Sequence, residues 1–242
     1  MDRRPASPAL HPARTPSLDA GDAEDFKAVE VLAESLKVWL TQLPGFAGIA
    51  FLLHAPLLLL TLLPPVPGPL LVAAFLFGEL AVSLLVKAAL VKAVLDAQRG
   101  LPSDFSELID ALRRAPAAFA VGIPILARAA VRLPMLVPGV LYLAETFAAV
   151  PAAVAEGGPA RKALLRSREL THGLRSQVLV ICLLIWTLAI SLTLLAGVHR
   201  PESLTNTTWI LVYLCARALD TSLAAVLSAM TYHHLCERPE AA

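Results

Sequence analysis

Seven charged side chains interrupt stretches that are otherwise apolar: Glu79, Lys87, Arg128, Arg132, Glu145, Arg217 and Asp220. In hydrocarbon each costs about 2.5–3.5 kcal/mol on insertion scales, so such residues turn inward and meet one another or water. Two kinds of chemistry use that arrangement. Opposite charges that neutralise each other fix how helices pack, and a row of them along a hydrated path passes ions or polar solutes. A third kind, metal ligation, is offered by His233, His234, Cys236 and Glu237. Adjacent histidines point about 100° apart on a helix, however, and few geometries let both reach one ion. No metal and no cofactor is expected. The chain also lacks a glycine-rich phosphate loop, a Ser-His-Asp order and an HExxH motif, so no catalytic residue is assigned.

The elements that must position these charges are long and apolar. Hydrophobic residues make up 57% of the chain and charged ones 16%, against about 25% charged in soluble domains. Mean hydropathy is +0.69. These values predict an all-α, polytopic membrane protein. Segments near 44–63, 68–95, 117–133, 137–155, 178–198 and 207–235 approach or exceed the length of about 20 residues that crosses about 30 Å of hydrocarbon. They pair as six transmembrane helices in three hairpins, the first joined by the rigid turn Pro64-Pro65-Val66-Pro67. Each hairpin is preceded by a stretch with apolar residues at steps of three and four, near 26–43, 103–114 and 159–173. These stretches read as cytoplasmic amphipathic helices at the interface. The arm at 117–133 carries Arg128 and Arg132 and either spans or re-enters. Residues 1–24, rich in proline and without apolar periodicity, read as a disordered cytoplasmic tail. Residues 25–238 form one membrane domain, and 239–242 a short carboxyl-terminal tail.

Basic residues number 20 and acidic ones 19, a balance that argues against nucleic acid as a partner. Their placement is uneven. Fifteen of the twenty basic residues fall in the tail, the first surface helix, the loops Lys92 to Arg114 and Arg161 to Arg175, and at Arg238. The opposite face holds Arg132 and Arg200. The excess marks the cytoplasmic side and places both termini there. Cys182, Cys215 and Cys236 are odd in number and widely spaced, so they suggest no disulfide and read as small core residues. His54, the one titratable group of its segment, reads as a neutral, hydrogen-bonded histidine.

The break at Gly157-Gly158-Pro159 releases the chain into the most basic of the surface helices. There Ala163, Leu164, Ser167, Leu170, Thr171 and Leu174 share one arc, and Arg161, Lys162, Arg166, Arg168 and Glu169 occupy the rest. A helix of this kind lies in the headgroup plane, where each Lys or Arg beside anionic lipid contributes about 1 kcal/mol. Arg113 and Arg114 end the preceding surface helix. With Arg161, Lys162, Arg166 and Arg168 they are the expected contacts to lipid or to a protein partner.

The same region carries a resemblance. Pro138-Gly139, Val150-Pro151, Glu156-Gly157, Ala163-Leu164, Arg166-Ser167, Glu169-Leu170-Thr171 and Gly173 resemble a pattern of bacterial multi-pass membrane proteins of mostly unassigned function. That group is similar to the membrane domain attached to some glycerophosphodiester phosphodiesterases. The resemblance implies a helical domain of the bacterial inner membrane. It brings no catalytic residues, and the chain has no room for a phosphodiesterase barrel.

Depth along each helix, at about 1.5 Å per residue, orders the buried charges. Arg128 and Glu145 lie about 10 and 13 Å below the outer boundary on antiparallel neighbours, and they are expected to pair. Glu79 at about 18 Å and Arg217 at about 16 Å pair if their helices meet, with Asp220 sharing Arg217 from one turn away. The function expected from these features is non-enzymatic: an integral inner-membrane protein whose basic cytoplasmic helices engage anionic lipid or a partner protein. Two alternatives stay open. One is a small permease with the buried charges along its path, and the other a membrane-embedded enzyme acting on lipids.

Overall fold

The computed structural model describes residues 27–62, 69–98, 113–132, 135–198 and 206–237. The amino-terminal tail, the turn at Pro64 to Pro67 and the surface helix expected over 103–114, apart from Arg113 and Arg114, lie outside them. Among the described residues every regular element is helical.

Helix α1 (Ala28–Thr41) meets α2 (Leu43–Leu62) at a bend of 80°. Pro44 causes it. Its nitrogen has no hydrogen to offer the carbonyl of Leu40 and its ring crowds that carbonyl, so the ladder stops. It restarts with Phe46 N–H donating to Gln42 O at 3.0 Å. The two longest helices are α3 (Pro69–Gln98, 30 residues) and α9 (Asn206–Cys236, 31 residues). They run in the same direction, since Glu79 meets Arg217 near their starts while Gln98 Nε2 donates to Met230 Sδ at 3.2 Å near their ends. This pair is the centre of the molecule, with α1 and α2 packed on α9 and with α4 (Ala115–Arg132) and α6 (Ala149–Glu156) packed on α3. Val86, Leu90 and Val94 from α3 and Val226, Met230 and Leu235 from α9 are wholly buried.

The remaining helices form one folded-back unit. Helix α5 (Leu136–Glu145) continues into α6 across a three-residue turn at 146–148. Pro151 explains the interruption, because proline is accommodated without loss only in a helix's first turn and α6 therefore begins anew at Ala149. Gly157 and Gly158, with φ of 70° and 93°, then reverse the chain, and α7 (Ala160–Leu170) packs back against α6. Gly173, with φ of 79°, ends the next turn, and α8 (Arg175–Val198) leaves α7 at 112°.

Two helices of the described residues, Val137–Glu156 and Leu211–Cys236, are long and apolar enough to cross a membrane, or up to four if each bent pair counts as one span. Exposed apolar side chains, among them Leu52 on α2, Phe77 on α3, Val180, Leu183 and Ile190 on α8 and Leu211 and Val212 on α9, fit that reading. Six spans in three hairpins is a finer threading than these helices establish. The apolar stretch of α4, Ala115–Ala129, is shorter than a span, and α3 carries Glu79, Lys87, Lys92 and Asp96 along its length.

Candidate functional site

Arg217 on α9 stands between two carboxylates from different helices. Its Nη1 donates to Asp220 Oδ2 at 2.9 Å, from the same helix, and its Nη2 to Glu79 Oε2 of α3 at 3.3 Å. The i, i+3 spacing places Arg217 and Asp220 on one helical face, and the parallel course of α3 and α9 brings Glu79 level with them. Tyr213, one turn before Arg217, donates its hydroxyl toward Glu79 Oε1 at 3.5 Å. The side chains of Arg217, Glu79 and Asp220 are only 16%, 9% and 6% exposed, so the group is largely buried. His54 of α2 lies close by, within reach of the charges on Glu79 and Arg217. Its Nδ1 is 2.7 Å from the carbonyl of Ala50, and a nitrogen facing a carbonyl carries the hydrogen, which leaves Nε2 as a bare acceptor. That nitrogen is buried without a partner among the described residues, so the expected histidine is only half satisfied. Lys87 lies within electrostatic reach of Asp220 but makes no ion pair among the described residues.

The expected pair of Arg128 and Glu145 is not formed. Arg128 is exposed, while its neighbour Ala129 is the residue that α4 turns inward. Glu145 is instead held by Arg175 Nη2 at 3.1 Å and Arg168 Nε at 3.7 Å. Matched depth does not decide the pairing, because rotation about the axis of α4 takes Arg128 away and the reversal of α7 brings the other two arginines in. The main chain of Glu145 is engaged as well. Its carbonyl, left free where α5 breaks, accepts Ser167 Oγ at 2.8 Å and Thr171 Oγ1 at 3.5 Å. Arg132, the other charge on α4, lies over the ring of Tyr142, 4.6 Å from its centre.

The basic contacts expected at the membrane surface divide into two groups. Arg161 and Lys162 are exposed and make no ion pair among the described residues, and Arg113 is exposed. Arg166 is committed to Glu156 at 3.3 Å and Glu169 at 3.9 Å, Arg168 to Glu145, and Arg114 Nη1 to the carbonyl of Val154 at 2.7 Å. The arc expected to face lipid on α7 faces protein: Ala163, Ser167, Leu170, Thr171 and Leu174 are all buried. Small residues at 163 and 167 suit the close packing of α7 on the alanine-rich α6. The sequence signal for this docking is Ala163, Ser167 and Thr171 at steps of four.

His233 and His234 diverge, the first toward Glu237 at 3.3 Å and the second toward Glu34 of α1 at 2.8 Å. Among the described residues no three His, Cys, Asp or Glu side chains are placed to share a metal ion. Cys182 is buried and Cys236 partly so, but Cys215 is exposed on α9, where a lipid-facing position suits a small apolar thiol as well as the core does. No protein-family model, curated protein or solved structure matches the chain, so the resemblance carried by residues 138–173 rests on those residues alone.

Proposed function

We propose that this is a non-enzymatic integral protein of the bacterial inner membrane, threaded six times with both termini cytoplasmic, that presents basic side chains to anionic lipid headgroups. The observation that carries the reading is the division of α7. Its small and apolar face is used up on the protein, whereas Arg161 and Lys162 stand exposed without an ion-pair partner among the described residues. Helix α1 supports it. At 80° to α2 it lies near the membrane plane when α2 spans, and it leaves Val29, Leu36 and Leu40 exposed where the acyl boundary has apolar surface to offer. The family resemblance belongs to the same proposal.

Two exposed cations at about 1 kcal/mol each correspond to roughly 30-fold in affinity. Native mass spectrometry of the full chain with added phosphatidylglycerol reads this directly. Arg161→Gln with Lys162→Gln is expected to retain far less anionic lipid than the unsubstituted chain, and equal retention overturns the proposal. A small permease is the second reading, favoured by the buried charges between α3 and α9.

A further inference from the structure

We propose that His54, Glu79, Arg217 and Asp220 form a proton-binding site inside the membrane-spanning part of the fold, independent of any lipid contact at the cytoplasmic face. One guanidinium serves two carboxylates here, at 2.9 and 3.3 Å. With both acids ionised, the group carries one negative charge more than Arg217 neutralises. An uncompensated charge in a low-dielectric interior is costly, and the cheapest remedy is to take up a proton.

The geometry provides places for it. Among the described residues Asp220 Oδ1 is buried and without a hydrogen-bond partner, while Oδ2 holds the bond from Arg217. His54 is completely buried, and its bare Nε2 is a second acceptor beside Glu79 and Arg217. Of the other groups that face the site, Tyr213 of α9 is a neutral donor to Glu79, Cys182 of α8 lies toward Lys87, and Lys87 of α3 lies within electrostatic reach of Asp220, offsetting part of the charge without bonding to Oδ1. Uptake forms one O–H bond at Asp220 Oδ1 with a proton from hydronium, which is left as water, and raises the charge of the group by one while Oδ2 keeps its bond from Arg217. A site that gains and loses one proton between α2, α3 and α9 is a binding site for the smallest cation.

Infrared difference spectra of the full chain in nanodiscs, between about pH 8 and about pH 5, read this site through the C=O stretch of a carboxylic acid shielded from water. The expected result is such a band, shifted by carbon-13 labelling of aspartate carboxyls and lost in Asp220→Asn. Glu79→Gln, which leaves one carboxylate for one guanidinium, should abolish it too, whereas Glu156→Gln should keep it. Absence of the band in the unsubstituted chain, or a band unmoved by aspartate labelling, overturns the proposal. The labelling arm needs no substitution, so it decides the matter even where a variant fails to fold.

Discussion

Arg217 is the residue whose removal strands the most charge, because Glu79 and Asp220 both depend on it and neither has another cation bonded to it among the described residues. Taking one partner from a buried ion pair costs about 3–5 kcal/mol, so Arg217→Met is expected to lower stability by that amount. Unfolding of the purified chain in mixed micelles would show it, and Arg217→Met combined with Glu79→Met and Asp220→Asn should recover part of the loss. Glu145 makes a separate test at the same scale. Since Arg175 and not Arg128 is its neighbour, Glu145→Arg with Arg175→Glu should refold better than Glu145→Arg alone, by about 1 kcal/mol for so exposed a pair. Pairing Glu145→Arg with Arg128→Glu should bring no recovery.

Among the elements, the reversal from α6 to α7 concentrates the strain and the specificity. Gly157 has φ 70° and ψ −171°, a region that is essentially closed to residues with a Cβ. Gly157→Ala is therefore expected to cost about 1–3 kcal/mol in thermal unfolding followed by circular dichroism, although a Cβ there would touch nothing. On the docked face of α7, Ser167 is wholly buried and bonded to the carbonyl of Glu145. Ser167→Leu both overfills the contact with α6 and removes that donor, so a loss of about 1–3 kcal/mol is expected in the same assay. Lys162→Leu, on the outward face, should change stability little. Equal effects at positions 162 and 167 would mean that α7 does not dock as described.

For the whole molecule, threading is the property that the lipid-facing proposal depends on. In a chain with Cys182, Cys215 and Cys236 replaced by serine, Ser203→Cys is expected to react with a membrane-impermeant maleimide from outside the cell. Labelling only after the cytoplasm is opened would reverse the orientation that the basic loops imply. The central pair of α3 and α9 adds a second whole-molecule feature, because the Arg217 group ties them together where both pass between other helices. Its loss should loosen the bundle as a unit and broaden the unfolding transition rather than fray one end.

What the sequence determines by itself is what depends on neighbours along the chain. Helices follow from apolar runs of membrane length, and their breaks follow from Pro44, from Pro151, from Gly157 with Gly158, and from Gly173, each of which ends or redirects a helix through its own backbone chemistry. Level is legible too, since rise per residue is constant, and Glu79 and Arg217 come out at similar depth on that count alone. Rotation and crossing are not legible. Whether the arc of Ala163, Ser167 and Thr171 faces lipid or α6, and whether Arg128 or Arg175 reaches Glu145, depends on which surfaces pack together across long separations in the chain. Side chains at equal depth can point in any direction around a helix axis, and only the close packing of α7 on α6 and of α3 beside α9 selects one.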